Sequence, residues 1–497
     1  MFFTSTRDKS VSVTSAQAIT MGISKDGGLF VPREFPKISA SDIESISKLD
    51  YIGKAKRVLS LYLTDFTQEE LDKCVNGAYA KGKFSSDAIA PLVSLDDNTS
   101  ILELWKGPTC AFKDMALQLL PYLLTTASSK VAPDKEIVIL VATSGDTGKA
   151  ALEGFKDVEG TKILVFYPVD GVSEMQKLQM TTQEGKNVSV CAINGNFDDA
   201  QTGVKAIFTN NEIAKRLEQS GMMFSSANSI NWGRLVPQIV YYVSAYCDMI
   251  TQGTIKNGEL MNVVVPTGNF GNILAAYYAK KMGLPIGKLI CASNANNVLT
   301  DFLTTGRYDR NRAFHTTTSP SMDILISSNL ERLIFDLCGK DDKKLNQWMS
   351  ELAAEGVYDV GDEMINEIRE LFCAGFCDDE GTKDSIKQIF EKFNYLCDTH
   401  TAVAVNVCNQ YREKSGDKTP VVIASTASPF KFSNSVLAAL ESFQSNSDGF
   451  AVAERLAELT STQIPQQLSA LKSKKVRFTQ VCDKNEMEQQ VFDMLRI

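Results

Sequence analysis

The stretch Ile137-Val-Ile-Leu-Val-Ala142, followed by Thr143-Ser-Gly-Asp-Thr-Gly148 and then by Lys149-Ala-Ala-Leu-Glu-Gly-Phe155, decides the fold. Its first part is a continuous apolar run rich in β-branched residues, which is typical of a strand buried on both faces of a parallel sheet. Turn residues end this run, and the apolar spacing that follows them is helical. A buried strand, a glycine-rich loop and a helix in this order indicate an α/β fold.

Further short apolar runs of the same kind alternate with helical patterns along the chain. They occupy residues 163–167, 188–193, 263–265, 289–292 and 421–424. This alternation favours parallel strands that are covered by helices on both faces. The chain has 497 residues, which exceeds what one hydrophobic core usually supports. We therefore predict a doubly wound α/β fold that is split into two lobes.

The remaining segments are predicted to be mainly helical. Helical spacing from about residue 41 to residue 84 predicts a small N-terminal subdomain with some extended structure. Strand signals are absent between about residues 322 and 395, so we predict a helical insertion there. Cys373 and Cys377 are expected on one of its helices, where i,i+4 neighbours pack together more often than they cross-link.

Composition excludes several classes of function. The net charge of −9 argues against binding to nucleic acid or to an anionic membrane, although it allows a local basic pocket for a small phosphate ester. The 11 cysteines are scattered and only two histidines are present, so we expect reduced thiols and no metal site. No apolar stretch has the length of a signal peptide or a membrane span. We expect a soluble cytoplasmic protein that acts on a small molecule.

Two glycine-rich loops follow predicted strands, namely Thr143-Ser-Gly-Asp-Thr-Gly148 and Pro266-Thr-Gly-Asn-Phe-Gly-Asn272. Glycines let the backbone turn tightly there, so that free N–H groups of the next helix point at an anion. Neither loop fits the P-loop consensus or the dinucleotide fingerprint. Each loop predicts a phosphate site, and a plain strand-to-helix turn is the alternative for either loop alone.

Two further features carry candidate chemistry. Lys113 is the only charged residue between Lys106 and Asp114 and lies at the start of an apolar helix. A lysine in apolar surroundings has a lowered pKa and can form a Schiff base with an aldehyde. The stretch Ser225-Ser-Ala-Asn-Ser-Ile-Asn-Trp-Gly-Arg234 combines short polar side chains with an arginine, the preferred bidentate partner of phosphate. A solvated lysine and a polar surface loop are the alternatives.

Together and in this order, these blocks resemble the threonine synthases, which belong to the tryptophan-synthase-β-like group (fold type II) of enzymes that depend on pyridoxal phosphate (PLP). The blocks are Ala111-Phe-Lys-Asp114, Ser144-Gly-Asp-Thr-Gly148, Asn228-Ser-Ile-Asn231 with Arg234, and Pro266-Thr-Gly-Asn-Phe-Gly271. Further matches run nearly end to end: Ser5-Thr-Arg7, Asp26-Gly-Gly-Leu-Phe30, Ser319-Pro-Ser-Met-Asp323, Ser328-Asn-Leu-Glu-Arg332, Asp398-Thr-His-Thr-Ala402 and Ser425-Thr-Ala-Ser-Pro-Phe-Lys431. The N-terminal part and the insertion resemble the fungal and enterobacterial branch, which suggests a monomer.

The resemblance implies a domain division and a reaction. It implies an N-terminal threonine synthase domain at residues 1–98, a catalytic core at 99–320 with a smaller lobe at about 140–240, a helical insertion at 321–395, and a return to the core with closing helices at 396–497. The implied reaction is the PLP-dependent conversion of O-phospho-L-homoserine and water to L-threonine and phosphate, the last step of threonine biosynthesis. Two alternatives remain: a phospho-lyase that gives 2-oxobutanoate, and a non-catalytic protein of the same fold.

The resemblance also implies roles for individual residues. Lys113 would hold PLP as a Schiff base and move protons as the catalytic residue. Asp146 would lie near the 3-hydroxyl of PLP, and Thr426, with Ser425 as the less favoured choice, would face its pyridine nitrogen. The cofactor phosphate would be held by Gly268, Asn269, Phe270, Gly271 and Asn272, and the substrate phosphate by Ser144, Thr147, Asn228, Ser229 and Arg234. Ser428 stands where many relatives carry a histidine, which leaves the acid/base partners near that loop open.

Overall fold

The computed structural model describes residues 1–143, 145–169, 172, 174–442 and 449–497, without the side chains of residues 197 and 198. The described strands are β1 Phe3–Ser5, β2 Phe30–Pro32, β3 Leu92–Asp96, β4 Thr99–Glu103, β5 Glu136–Ala142, β6 Thr161–Pro168, β7 Val188–Asn194, β8 Met222–Ser225, β9 Met261–Pro266, β10 Ile286–Ser293, β11 Arg307–Asp309, β12 Val357–Asp359, β13 Phe372–Phe376, β14 Val421–Ser425 and β15 Val481–Asp483.

The described helices occupy the connections between these strands. They are α1 Ser15–Met21, α2 Ala40–Ser47, α3 Tyr51–Tyr62, α4 Gln68–Ala78, α5 Asp114–Leu117, α6 Leu120–Val131, α7 Asp146–Phe155, α8 Glu174–Thr181, α9 Phe197–Thr209, α10 Asn211–Gln219, α11 Trp232–Thr251, α12 Gly271–Met282, α13 Val298–Thr305, α14 Leu330–Leu337, α15 Asp342–Ala354, α16 Gly361–Leu371, α17 Asp379–Phe393, α18 Thr399–Ser415, α19 Ser433–Leu440, α20 Gly449–Thr460, α21 Gln466–Ser469 and α22 Met487–Leu495. None of these helices is long and apolar enough to cross a membrane.

Two sheets with parallel strands form the framework. The larger has six strands in the order β13-β10-β9-β14-β4-β3, of which only the pairing between β3 and β4 is antiparallel. The smaller has five parallel strands in the order β15-β7-β6-β5-β8. The predicted α/β fold with two parallel-sheet lobes is therefore confirmed. The predicted apolar runs form β5, β6, β7, β9, β10 and β14, and the middle residues of these strands are buried.

The N-terminal segment is attached to the larger lobe by an aromatic cluster. The ring of Trp232, at the start of α11, is fully buried. Its centroid lies 4.9 Å from that of Phe3, 5.4 Å from that of Tyr62 and 6.1 Å from that of Tyr278. These rings come from β1, α3, α11 and α12, so burial of their apolar area holds four distant segments together.

The prediction that residues 322–395 contain no strand is wrong. Helices α14 to α17 lie in this segment, but β13 pairs with β10 at the edge of the larger sheet, and β12 pairs with β11. The sequence of β13 is FCAGF, which has no β-branched residue, so its strand state comes from pairing with β10 rather than from local propensity. Cys373 consequently lies on a strand and not on a helix, and Cys377 follows that strand.

The C-terminal segment contributes to the smaller lobe as well as to the closing helices. Its short strand β15 pairs with β7 at the edge of the five-stranded sheet, and α22 packs against α9 and β6. This return of the chain to the smaller sheet was not predicted, because three residues carry too little pattern to identify a strand. The division of the chain into four domains stays a prediction.

Gly154 is needed for the contact between α7 and α5. A Cβ atom at this position would lie 2.0 Å from the carbonyl oxygen of Leu117. We predict that Gly154→Ala lowers the free energy of unfolding by roughly 2 kcal/mol, because the backbones of α5 and α7 must separate. Urea unfolding at pH 7 measures this.

Gly53→Ala is the matched control, since a Cβ atom there comes no closer than 3.1 Å to its nearest neighbour, on Leu49. It should leave the free energy of unfolding unchanged or raise it by up to about 1 kcal/mol, because alanine favours a helix more than glycine does. Equal effects of the two substitutions would contradict the assigned role of Gly154.

Candidate active site

The candidate site lies where four loops leave the carboxyl ends of parallel strands. Three of these loops follow β4, β9 and β14 of the larger sheet, and the fourth follows β5 of the smaller sheet. Ligands bind at this end of α/β sheets because the following helices direct their N-termini towards it. The two glycine-rich loops, the segment with Lys113 and the segment with Thr426 belong to these four connections.

Lys113 is held in place by the backbone of the segment after β14. Ala111 forms an isolated antiparallel bridge with Ala427, and the N–H of Phe112 donates to the carbonyl oxygen of Thr426 at 2.8 Å. Lys113 itself precedes the short helix α5. Thr426 and Lys113 are therefore brought into one site, as their predicted roles require.

Lys113 is nearly buried, since 14% of its side chain is exposed. Burial lowers the pKa of its ammonium group, Asp146 opposes that effect, and the positive charges of Lys431 and Arg234 add to it. The alternative of a solvated lysine is therefore wrong. A buried lysine with a lowered pKa is suited to act as a nucleophile towards an aldehyde.

Asp146 is the charge centre of the site. One carboxylate oxygen accepts from Lys431 Nζ at 2.6 Å and from Gln176 Nε2 at 3.1 Å, and the other lies 3.7 Å from Lys113 Nζ. The hydroxyl of Ser321 donates to the same second oxygen at 3.5 Å. Burial would raise the pKa of Asp146, but Lys431 and Lys113 together hold it well below its usual range. Asp146 is thus an anion placed between two lysines.

A second buried carboxyl group, that of Asp114, supports the loop before Lys113. It accepts from the N–H of Thr109 at 2.8 Å and from the hydroxyl of Thr109 at 2.7 Å. Burial nevertheless raises the pKa of Asp114 to about 6. Gly107 packs so closely on Asp114 that a Cβ atom at residue 107 would lie 2.5 Å from the Asp114 Cβ.

The loop between β9 and α12 has the backbone shape of an anion cradle. Phe270 adopts the left-handed conformation with a φ of 62°, directly before the first residue of α12. Gly268 approaches the backbone of Ser321, whose carbonyl oxygen would lie 2.8 Å from an added Cβ. The N–H groups of the first turn of a helix have no partner within the helix, and their partial positive charge favours a phosphate at the start of α12.

Residues from the segment before α14 hold this loop. The hydroxyl of Ser327 donates to the carbonyl oxygen of Gly268 at 2.7 Å. The backbone N–H and the side-chain amide of Asn329 donate to the carbonyl oxygen of Asn269 at 3.1 and 2.9 Å. Both carbonyl oxygens thus accept hydrogen bonds from the segment before α14, which fixes the backbone of this loop.

Asn272, the second residue of α12, carries an unpaired buried amide. Its Oδ1 accepts from the hydroxyl groups of Tyr241 at 2.6 Å and Tyr242 at 2.5 Å. Its Nδ2 is buried and has no hydrogen-bond partner in the described part of the chain. An unmade hydrogen bond of a buried amide costs about 1–3 kcal/mol. An anion beside the first turn of α12 would satisfy this donor, so the site fits the phosphate of PLP.

Arg234 forms a second candidate anion site at the start of α11. Its guanidinium is buried, it donates to the carbonyl oxygen of Ala227, and its Nε has no partner among the described residues. Burial lowers its pKa to about 10. The preceding residues Asn228 and Ser229 are half-buried, and the hydroxyl of Ser229 accepts from Asn329 at 3.3 Å. The alternative of a surface arginine is wrong.

The other predicted residues lie as follows. Thr147 is half-buried in the first turn of α7, next to Asp146. Ser144 lies outside the described residues. The hydroxyl of Ser425 contacts Trp105 Nε1 at 3.1 Å and the hydroxyl of Thr401 at 3.0 Å. Successive residues of an extended chain point to opposite sides. This occupied hydroxyl therefore favours Thr426 over Ser425 as the group that faces a cofactor.

The sequence interpretation missed Lys431, whose side chain is fully buried and touches Asp146. The signal was present, because Lys431 is the only charged residue in the apolar stretch Ala427-Ser-Pro-Phe-Lys-Phe432, much as Lys113 is in its own segment. Gln176 gave no such signal, since it lies among polar residues of α8.

A series of buried, hydrogen-bonded polar groups that includes His400 was also missed, although the block Asp398-Thr-His-Thr-Ala402 resembles the family. The N–H of Ser321 donates to His400 Nε2 at 3.1 Å, and His400 Nδ1 lies 2.8 Å from a carboxylate oxygen of Asp398. Since Nε2 accepts a hydrogen bond, the proton of the neutral ring lies on Nδ1, facing Asp398. This series of groups fixes the backbone of Ser321 beside Gly268 and Asp146.

The raised pKa of Asp114 makes the free energy of unfolding depend on pH. The unfolded chain releases this proton near pH 4, whereas the folded chain retains it until about pH 6. Folding therefore takes up a proton within this window, and stability decreases as the pH rises through it. We predict that, as the pH rises from 4 to 6, the free energy of unfolding of wild type falls by on the order of 3 kcal/mol relative to that of Asp114→Asn.

Urea unfolding of both proteins at pH 4, 5, 6 and 7 measures the difference. Thr109→Val keeps the carboxyl group of Asp114 but removes a hydrogen bond that favours its charged form. In this variant the decrease in stability should therefore continue above pH 6. Parallel pH profiles of wild type and Asp114→Asn would contradict the raised pKa of Asp114.

Comparison with known proteins places this site in a family. Residues 2–79 match the family model described as Threonine synthase N terminus, residues 100–426 match Pyridoxal-phosphate dependent enzyme, and residues 401–491 match Threonine synthase, C-terminal. The chain is 41% identical to Threonine synthase-like 1 of Pongo abelii over 86% of its own length and 58% of that relative's length. It thus spans little more than half of that longer protein.

Other relatives correspond over nine tenths or more of their own length. Threonine synthase of Pseudomonas aeruginosa is 39% identical, with 88% of this chain and 90% of that protein covered. The crystal structure of PLP-bound threonine synthase from Brucella melitensis superposes with a TM-score of 0.88 at 36% identity, and both chains are covered completely. On this evidence the chain belongs to the threonine synthase family of pyridoxal-phosphate-dependent enzymes.

Proposed function

We propose that this protein uses PLP to convert O-phospho-L-homoserine and water to L-threonine and phosphate. The observation that carries the proposal is a buried lysine that occurs together with two separate candidate anion sites. Lys113 has a lowered pKa, the first turn of α12 offers free N–H groups, and Arg234 carries an unpaired Nε. A substrate and a cofactor that each carry a phosphate would occupy these two sites. Relatives named threonine synthase support the same reaction.

We assign the cofactor to the loop before α12 and to Lys113. Its phosphate would be bound by the residues 268–272, with the unpaired Nδ2 of Asn272 as one donor. Lys113 Nζ would carry the covalent link, Asp146 would lie at the 3-hydroxyl, and Thr426 would face the pyridine nitrogen. The hydroxyl of Thr426 can accept or donate, so it would leave that nitrogen largely without a positive charge. The bound cofactor would supply an electron sink for charge that develops on the substrate carbon skeleton.

The substrate phosphate is assigned to Arg234 and the polar residues near it. Arg234 can offer its unpaired Nε to a phosphate oxygen, and its buried charge would stabilise the leaving group as the bond to the γ-carbon breaks. Asn228, Ser229 and Thr147 would add neutral donors, and Ser144 is kept as a further candidate. Burial of Arg234 strengthens these interactions, since water does not screen them.

Lys113 is assigned the proton transfers. With the substrate bound at the site, Nζ of Lys113 would remove the proton from the α-carbon and later one from the β-carbon. The lowered pKa of Lys113 favours the neutral amine that these steps require. As phosphate leaves, Lys113 would pass a proton to the γ-carbon, which becomes the methyl group. Water would then add at the β-carbon, and the return of a proton to the α-carbon would give threonine.

We infer further that the protein is a monomer and acts in the cytoplasm. The resemblance to the fungal and enterobacterial branch supports the first inference. Light scattering of the purified protein measures the molar mass directly. A mass near twice 54.6 kDa would contradict the monomer.

The reaction itself is tested by incubating the protein with O-phosphohomoserine and PLP and quantifying threonine, 2-oxobutanoate and phosphate. We predict equal amounts of threonine and phosphate, and loss of turnover by at least about 10³-fold in Lys113→Ala, since the cofactor link and the base are removed together. Phosphate matched by 2-oxobutanoate would identify a phospho-lyase instead. Absence of phosphate release from protein loaded with PLP would overturn the substrate assignment and favour a non-catalytic protein.

Arg234 is tested by Arg234→Met. We predict that kcat/KM for O-phosphohomoserine falls by about 100-fold or more, because a buried charged hydrogen bond to the substrate is lost. Inhibition by added inorganic phosphate should weaken in parallel.

Arg216→Met is the control, since Arg216 is exposed on the smaller lobe and stacks on Phe492. It should leave kcat/KM within about twofold of wild type. Retained phosphate inhibition in Arg234→Met would show that the substrate phosphate binds elsewhere.

A further inference from the structure

The buried charged groups around Lys113 do not form one-to-one ion pairs. One carboxylate, that of Asp146, lies between two lysines. Lys431 Nζ contacts it at 2.6 Å, whereas Lys113 Nζ lies at 3.7 Å on the other oxygen. Arg234 adds a further positive charge that acts on Lys113. The site therefore has more cationic groups than one carboxylate can neutralise.

Lys431 is the better partner of Asp146 by geometry. Its side chain is completely buried, and its ammonium also donates to the carbonyl oxygen of Thr109 at 3.1 Å. A fully buried ammonium is stable only when it is paired and hydrogen-bonded. Lys431 satisfies both conditions. Lys113 makes the longer contact, and part of its side chain remains exposed.

We propose that Lys431 is the permanent counter-ion of Asp146, and that it thereby leaves Lys113 as a neutral amine that can attack the cofactor aldehyde. Lys431 is on this view a positioning residue, since it acts through Asp146. The inference rests on the proposed role of Lys113 as the cofactor lysine.

The groups that face the two lysines support this division of roles. Lys113 is influenced by Asp146 from α7, by Lys431 from the segment after β14 and by Arg234 from α11. Lys431 also acts on Asp114 and on the thiol of Cys110. If Lys431 lost its charge, Lys113 would be the one cationic group within 4.0 Å of Asp146 among the described residues. Lys113 would then hold its proton more strongly.

Capture of PLP by the protein reports the state of the Lys113 amine directly. The reaction joins Lys113 Nζ to the aldehyde carbon and releases one water, with no oxidation or reduction. Only the neutral amine reacts, so the capture rate as a function of pH follows the loss of its proton. The rate is measured by the absorbance of the captured cofactor after mixing the cofactor-free protein with PLP over a pH series. No amino-acid substrate is needed.

Four chains are compared: wild type, Lys431→Met, Lys431→Arg, and the double variant Lys431→Met/Asp146→Asn. We expect the midpoint of the pH profile in Lys431→Met to rise by about one unit or more, so that capture at neutral pH slows about tenfold or more. Lys431→Arg keeps a positive charge and should retain the wild-type midpoint within about 0.3 units. In the double variant the rise should disappear, because the carboxylate that would otherwise pair with Lys113 is gone.

Each variant is first compared with wild type by its near-ultraviolet circular dichroism and unfolding midpoint. Should Lys431→Met fail to fold, Lys431→Gln replaces it, because a glutamine can still donate to Thr109 without carrying charge. An unchanged midpoint in the folded neutral variant, or an equal rise in the double variant, would overturn the role of Lys431. Failure of wild type itself to capture PLP would instead overturn the proposed function.

Discussion

The carboxylate of Asp146 is the constraint on which the arrangement of the site depends. It belongs to the first turn of α7 in the smaller lobe, while its cationic partners follow β4 and β14 of the larger sheet. A buried carboxylate without partners would cost several kcal/mol, so the two lobes are stable only in positions that keep these contacts. Gly154 permits the close approach of α7 to α5 that the same geometry requires. The contacts of Asp146 with the two lysines and the close approach at Gly154 thus constrain how α7 packs against the larger lobe.

The N-terminal segment takes part in the site although it supplies none of its proposed functional groups. Arg332 is fully buried and donates to the carbonyl oxygens of Phe30 and Ile230 and to the side chain of Asn329. Asn329 in turn holds the loop of Asn269. The guanidinium therefore connects strand β2, the segment before Arg234 and the loop before α12. Loss of the N-terminal segment would leave this buried charge with unmade hydrogen bonds, and both anion sites would lose their support.

Prediction from sequence succeeded where a local pattern reports the environment of a residue. Strands buried on both faces carry continuous apolar runs, so β5 and β9 were predicted, whereas β13 and β15 lie at sheet edges and owe their strand state to pairing with a neighbour. Lys113 could be identified because it interrupts an apolar segment and lies in a block that resembles a known family. The contact between Lys431 and Asp146 joins residues far apart in the chain. No periodicity or spacing encodes such a contact.

The two proposed phosphate sites depend on helices that pack directly against each other. Arg234 lies at the start of α11 and the cradle at the start of α12, and a chain of side chains joins them. Gln238 donates to the carbonyl oxygen of Arg234, and the hydroxyl of Tyr241, which has one hydrogen to share, lies 3.0 Å from Gln238 Oε1 and 2.6 Å from Asn272 Oδ1. A displacement of the smaller lobe would therefore leave the spacing of Arg234 and the cradle unchanged. It would alter the distance from Asp146 to the two lysines, and with it the proton affinity of Lys113. Arg234 and the cradle thus keep their mutual distance, whereas Asp146, which controls the nucleophile, moves with α7 and with Thr147.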